Sequence, residues 1–272
     1  MNTGQTFGGW QFWTDRRVTV AGWRLQRHAW TGHYRALDPA DVRHASGSRD
    51  VCLAALPKPG AKHDEAVLLL HGLSRTRRAM RPLANALRAA GFDAYAVGYA
   101  STRASVANHA HALGDVIDGL PPYRRIHAVA HSLGNLVLRR YFVRERKGRT
   151  WGRMVMLAPP NCGSVLANRL NASRMSGPVL RRVLGTSGKQ IVAWDRLACR
   201  LADAAKLPFE VLVLAAHSRI HNPLVGRGDL VVSVDETRLE GAAHEVVPGN
   251  HTLLMRDPAN VRRVVDFLRG GR

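Results

Sequence analysis

The stretch Ile126-His127-Ala128-Val129-Ala130-His131-Ser132-Leu133-Gly134 decides the reading of this chain. Five residues with no alternation read as a buried strand, and Leu133 to Arg144 after them reads as a helix, so Ser132 falls in the turn between the two. Small residues flank the serine at Ala130 and Gly134, a variant of the G-x-S-x-G pattern with Ala first. So tight a turn brings strand and helix backbones nearly into contact and lifts the hydroxyl to the mouth of the sheet, at a helix N-terminus. A lone serine in a turn is usually structural, and its neighbours in the sequence decide whether this one is chemical.

Outward from Ser132, short apolar strands alternate with helices from residue 66 on, which predicts βαβ units and a mostly parallel central sheet flanked by helices. The strands are Ala66 to Leu70, Ala94 to Gly98, Ile126 to Ala130, Met154 to Leu157 and Val211 to Ala215. The helices run from Arg77 to Ala90, ending at Gly91, from Ser105 to Leu120, from Leu133 to Arg144 and from Ala259 to Leu268. Residues 161–205 are too long for a simple crossover and predict an inserted cap over the strand ends. Residues 1–65 precede this alternation as an N-terminal extension with a linker at Leu56-Pro57-Lys58-Pro59-Gly60, and 66–272 as the main domain. The extension holds Trp10, Trp13, Trp23, Trp30 and Tyr34, aromatics expected to pack on that domain.

A serine nucleophile needs a base, an acid to orient it and donors for an oxyanion. The strand ending at Leu70 runs into His71-Gly72-Leu73, where the backbone N–H of Leu73, with that of Leu133, can supply those donors. Downstream, Asp229, Asp235 and Glu236 are candidate acids and His244 and His251 candidate bases. Asp229, in a glycine-rich loop, and His251, in Gly249-Asn250-His251-Thr252 before the last helix, lie where loops can turn side chains toward the serine. Alone, each reads as a turn or cap residue; together they follow Ser132 in the order Ser, Asp, His.

These residues resemble the α/β-hydrolase esterases and lipases of the bacterial triacylglycerol-lipase-like group with an Ala-His-Ser-x-Gly elbow. The resemblance spans about 66–270. It is carried by Leu70 to Arg75, Ala130 to Gly134, Leu157 to Ser164, Asp229 to Val234 and His251 to Met255. It implies an α/β-hydrolase fold, Ser132, Asp229 and His251 as the triad, and hydrolysis of carboxylic esters through an acyl-enzyme, with no cofactor and no metal. Two positions depart from the pattern: Asn135 stands where a second glycine is commoner, and Leu230 follows Asp229 where glycine is commoner. Thioesterase, amidase or acyltransferase chemistry on the same triad is the alternative, because a fold does not fix a substrate.

The 272 residues, 46% of them hydrophobic, are ample for a core. Cys52, Cys162 and Cys199 are odd in number and lack ligand spacing, against a disulfide framework or a zinc site. No apolar run reaches a span of about eighteen residues and no signal peptide is seen. The expectation is a cytoplasmic protein, with peripheral contact to an anionic membrane through basic residues. The formal charge of +20 invites a nucleic-acid reading, but no helix-turn-helix, zinc finger or RNA-binding signature accompanies it. The excess concentrates in residues 66–182, with 19 cations against four acids. Arg139, Arg140, Arg144, Arg146, Lys147 and Arg149 are expected at the C-terminal end of the helix after Ser132, where cations complement the dipole. Arg75, Arg77 and Arg78 follow the His-Gly loop and, with Arg169, Arg174, Arg181, Arg182 and Lys189 of the cap, predict a basic rim for substrates or surfaces bearing anionic groups.

Overall fold

The computed structural model describes residues 11–144, 148–163 and 209–271 except 221 and 224, together with 6 and 207. Four antiparallel strands come first, β1 (Trp13–Val18), β2 (Arg24–His28), β3 (Tyr34–Leu37) and β4 (Arg43–Gly47), side by side in chain order. Helix α1 (Arg49–Ala54) follows, with the Ser48 side chain accepting from the Val51 N–H. The alternating part then runs β5 (Glu65–Leu70), α2 (Arg81–Ala89), β6 (Asp93–Val97), α3 (Val106–Asp118), β7 (Arg125–His131), α4 (Leu133–Arg144), β8 (Trp151–Leu157), β9 (Val211–His217), β10 (Ala243–Pro248) and α5 (Pro258–Arg269).

Strands β5 to β10 form one six-stranded, all-parallel sheet in the order β10-β9-β8-β7-β5-β6. Each expected strand is present within two or three residues of its predicted ends, because a strand buried on both faces reads as an unbroken apolar run. Alternate residues divide two cores. Ala66, Leu68, Leu70, Ala128 and Ala130 face α3 and α4, meeting Leu113, Val116, Ile117, Leu136 and Val137. Val67, Leu69, Val129, Val155 and Leu157 face α2 and α5, meeting Leu83, Leu87, Val264 and Leu268. Full burial of each such side chain contributes roughly 1.5–3 kcal/mol before entropy is charged against it.

The helices follow their caps. Ser105 lies outside α3 and accepts from the Asn108 N–H, Asp257 accepts from Ala259 and Asn260 at the start of α5, and Gly270 ends α5 at φ +99°. The first turn of the helix expected from Arg77 is instead a 3-10 turn, Arg77–Met80, which α2 continues with Pro82 in its opening turn.

The N-terminal segment is a sheet, which apolar periodicity did not disclose. Beside a small apolar cluster of Leu25, Ala36 and Cys52 of α1, it buries polar residues, Asp15, Arg24, Gln26 and Arg35. Asp15 accepts from Arg24 Nη1 at 2.5 Å and from Gln26 Nε2 at 2.8 Å, and Arg35 Nη2 donates to Gln26 Oε1 at 2.8 Å. This network covers the edge strand β6, through Asp15 N to Gly98 O (2.9 Å), Gly98 N to Asp15 Oδ2 (2.6 Å) and Arg24 Nη1 to Ala96 O (3.1 Å). Trp13, Trp23 and Tyr34 are half-buried against the N-terminal segment itself, Trp13 on His28, His33 and Arg35, Trp23 on His44 and Tyr34 beside Leu25 and Ala36, whereas Trp30 is 65% exposed; Trp10 lies outside the described residues.

Of the insertion expected at 161–205, only 161–163 are described; the remainder, with Arg169, Arg174, Arg181, Arg182 and Lys189, lies outside the described residues, as do Arg146 and Lys147. Arg139 is not a surface cation near the end of α4. It is 1% exposed and donates from Nη1 to Asn161 Oδ1 at 3.0 Å. Among the described residues, no helix is long and apolar enough to cross a membrane.

Candidate active site

Strand β6 lies outside β5 while β7 lies on its other side, so the order of strands reverses at the β5–β7 pair, and a crevice opens beyond their carboxyl ends. Two loops meet there: His71-Gly72-Leu73 after β5 and His131-Ser132-Leu133 between β7 and α4. Ser132 has φ +49°, a left-handed conformation costly for a residue with a side chain. The fold holds it from several sides. Its N–H donates to Leu157 O (2.9 Å), and its carbonyl accepts from the Asn135 N–H (3.0 Å) and Asn135 Nδ2 (3.1 Å). Asn135 is wholly buried, so this departure from the glycine-rich pattern braces the elbow.

Close approach explains the flanking glycines. A Cβ on Gly134 would lie 2.8 Å from Leu70 O and 3.0 Å from His71 O, and one on Gly72 would lie 2.8 Å from His131 Nδ1 and 3.2 Å from Ser132 Cβ. The two loops therefore touch, which brings Leu73 to the serine. Leu133 is the first residue of α4, and its N–H is among those that a helix leaves without an internal acceptor.

The peptide before Leu73 is fixed by His71. Its Nδ1 donates to Gly72 O at 2.9 Å, while Nε2 accepts from the Tyr99 N–H at 3.3 Å and the ring stacks on Tyr99 at 4.1 Å. Burial lowers the His71 pKa to about 4, against its bond to Gly72 and the field of Asp15, so the ring is neutral at neutral pH with its proton on Nδ1. In a trans peptide the carbonyl and the next N–H point opposite ways, so anchoring Gly72 O also aims the Leu73 N–H.

His251 and Asp229 are brought together. His251 Nδ1 lies 2.6 Å from Asp229 Oδ2, and the His251 N–H donates to Asp229 O at 3.1 Å. Asp229 is 1% exposed, and its other oxygen accepts from the N–H groups of Val231 (2.9 Å) and Val232 (2.7 Å). With Nδ1 engaged by the carboxylate, Nε2 is the nitrogen left to face a substrate or a serine. Leu230, the second departure, has φ +82°: this is the left-handed backbone for which glycine is suited, and Asn222 Nδ2 holds the Leu230 carbonyl at 2.9 Å.

The pair sits against the elbow. His131 Nε2 donates to His251 O at 2.8 Å, and the two rings are 4.8 Å apart. Burial first, and then the neighbouring His251, holds the His131 pKa well below its usual value, so His131 is a neutral strut. Arg75 Nη2 donates to Thr252 Oγ1 at 2.8 Å, joining the β5 loop to the His251 loop. The alternatives point elsewhere. His244 is in β10 with Nε2 2.8 Å from Thr237 Oγ1, Asp235 is exposed 3.4 Å from Arg238, and Glu236 accepts from the Ser233 N–H.

Of the basic rim, Arg75 alone contacts the His251 loop among Arg75, Arg77 and Arg78; the other two both pair with Asp41 of the N-terminal segment, Arg78 at 3.1 Å. Sequence reasoning also missed Gln11, whose Nε2 donates to Arg75 O at 2.9 Å and whose Oε1 accepts from Ser101 and Thr102. Nothing in its local sequence marks it. Among the described residues, no cluster of His, Cys, Asp or Glu is arranged to hold a metal ion.

At the level of sequence, no family model and no curated protein matches the chain. Solved structures do. The mature lipase BlEst2 of Bacillus licheniformis superposes with TM-score 0.60 at 15% identity, covering 78% of this chain and 95% of that one. Phospholipase PlaB of Legionella pneumophila gives 0.57 at 17%, covering 77% of this chain and 60% of that one. A hydrolase from Oleispira antarctica gives 0.54 at 14%, covering 78% and 93%. The chain has the α/β-hydrolase fold. Within an α/β-hydrolase, the β7–α4 elbow and the loops after β5, β9 and β10 are the elements that meet above the sheet; here Gly72 lies against the elbow, and His131 bonds the His251 loop that carries the contact to Asp229.

Proposed function

We propose that the protein is a serine hydrolase that cleaves carboxylic esters, with Ser132, His251 and Asp229 as its triad. The observation that carries this reading is the His251–Asp229 pair, whose loop is bonded by His131, the residue that precedes a serine at φ +49° on a strand-to-helix elbow. Ser132 Oγ attacks the ester carbonyl as its proton passes to His251 Nε2. Asp229 keeps the imidazole in the Nδ1–H tautomer and stabilises the imidazolium. The N–H groups of Leu73 and Leu133 receive the oxyanion, and their fixed orientation requires no reorganisation as charge develops. Collapse of the tetrahedral species breaks the C–O bond, the alkoxide leaves with the proton from His251, and Ser132 retains the acyl group. Water, deprotonated by His251, then attacks the acyl-enzyme and releases the acid.

Lipid-like esters are the favoured substrates, a preference supported by the lipase and phospholipase among the structural neighbours. Arg75, next to the base loop, supports tolerance of an anionic group near the scissile bond. The test is hydrolysis of p-nitrophenyl esters of graded acyl length by the wild type and by Ser132→Ala, with fluorophosphonate labelling. Turnover by the wild type, lost with its label in Ser132→Ala, is expected; absence of both turnover and label in the wild type overturns the proposal.

A further inference from the structure

The N-terminal sheet and α2 enclose a second cleft of about 590 Å³, whose lining contains none of Ser132, Asp229, His251, Leu73 and Leu133. Its charge is one-sided. Arg24, Lys62, Arg77, Arg78, Arg81 and Arg88 line it, and Asp41 is its single acidic lining residue. Asp41 is consumed by Arg77 and Arg78, and the nearby buried Asp15 by Arg24, Gln26 and Gly98. Asp93 is likewise taken, by the Lys62 and His63 N–H groups and by the Tyr123 hydroxyl. That leaves Lys62, Arg81 and Arg88 lining the cleft with no acidic ion-pair partner among the described residues, Arg88 bonding only Asn85 Oδ1 and Ala94 O.

Two guanidiniums are also incompletely satisfied. Arg24 is 6% exposed, yet its Nε–H has no hydrogen-bond partner, and the same is true of the buried Nε–H of Arg77. A buried donor without an acceptor calls for an explanation, since it has given up its bond to water without a replacement. Burial lowers the Arg24 pKa from its ordinary value, with Asp15 opposing and Arg77 adding to it. Guanidinium N–H donors lining one cleft suit the tetrahedral oxygens of a phosphoryl group better than water or chloride, and the cleft has the volume of a small-molecule site.

We propose that this cleft binds a phosphoryl anion, as a pyrophosphate or phosphomonoester group, at a site separate from the catalytic crevice. The proposal does not depend on the ester-hydrolase reading. Arg78 and Arg81 reach the ligand from the 3-10 turn and the start of α2, Arg88 and Lys62 from its far side, and Arg24 from the N-terminal sheet.

Calorimetric titration of the full chain with pyrophosphate at constant ionic strength tests it. The exposed positions allow substitution without unfolding, so Arg78→Gln and Arg81→Gln are each expected to weaken Kd by about tenfold, as loss of one charge-assisted contact implies. Arg238→Gln, beyond the opposite side of the sheet, is expected to leave it unchanged. Co-sedimentation with phosphatidylcholine vesicles containing phosphatidic acid distinguishes the sources. Vesicle binding lost in the Arg78 and Arg81 variants assigns a lipid phosphate, whereas variant-sensitive binding of pyrophosphate alone assigns a soluble one. If neither ligand binds, or if the Arg78 and Arg81 variants bind both as the wild type does, the cleft is a solvated basic face and the proposal fails.

Discussion

Gly134 shows how little room the elbow leaves. Replacing it with alanine puts a methyl group 2.8–2.9 Å from Leu70 at the end of β5, and overpacking of this kind destabilises by about 1–3 kcal/mol. Gly134→Ala is therefore expected to lower the urea midpoint and to depress turnover by shifting Ser132; an unchanged midpoint would contradict so tight a contact. Asp229→Asn keeps the shape of the side chain but permits the wrong imidazole tautomer. Under the proposed mechanism it lowers kcat by roughly 10³–10⁴ with little change in KM, measurable with a p-nitrophenyl ester. Leu230 has the opposite expectation. At φ +82° its side chain opposes the backbone, and Leu230→Gly is expected to raise stability by up to about 1 kcal/mol, read from the same urea titration, as long as the strain relieved exceeds the added entropy of the unfolded glycine. Asn135 and Leu230, the two sequence departures, thus differ in kind: one adds hydrogen bonds to the elbow and the other tolerates a strained turn.

Among the elements, legibility follows what each one buries. Strands β5 to β9 read plainly because their residues are apolar on both faces, and Ser132 reads as an elbow because β7 and α4 border it. Strand β10 did not, since Ala243-His244-Glu245-Val246-Val247-Pro248 is an edge with only Val247 buried. Strands β1 to β4 were hidden for a different reason. One of their faces buries the Asp15–Arg24–Gln26–Arg35 network and the other only a few apolar residues such as Leu25 and Ala36, so no sustained hydrophobic alternation marks them. The same cause hid the partners of Arg77 and Arg78, because nothing local to Asp41 announces a contact with the 3-10 turn before α2. The network also predicts its own fragility. Asp15→Ala leaves Arg24 buried without its carboxylate and uncaps the Gly98 N–H, and loss of one member of a buried pair destabilises by about 3–5 kcal/mol. Chemical unfolding of this variant is expected to show that loss, whereas exposed Arg49, 3.8 Å from Asp50, can be changed to alanine with an effect below about 1 kcal/mol.

At the scale of the whole molecule, four buried imidazoles among the described residues, His71, His109, His127 and His131, shape the response to acid. Burial lowers the pKa of His71 to about 4 and of His109 to about 3, that of His131 falls well below its usual value, and that of His127 is lowered by burial against the opposing Glu65. In the unfolded chain each protonates near 6.5, so their contribution to stability is complete above that pH. It declines as the pH falls toward the folded values, by up to about 1.4 kcal/mol per pH unit for each ring. Urea unfolding at about pH 7 and about pH 5 is expected to show a clear loss at the lower value, and equal stability at both would mean that the rings are charged when folded. The +20 formal charge acts in the same direction, since protonation of carboxylates on acidification adds to an existing repulsion.

The covering of β6 has a consequence for biosynthesis. Asp15 and Gly98 are 83 residues apart, so a ribosome making this chain releases the first four strands well before the strand that they protect. Asp15 meets Arg24 and Gln26 at once, over 9 and 11 residues, which neutralises the carboxylate while it waits. The first sheet is thus synthesised first and docked later, and until it docks the border of the nascent parallel sheet is open to pairing with another chain.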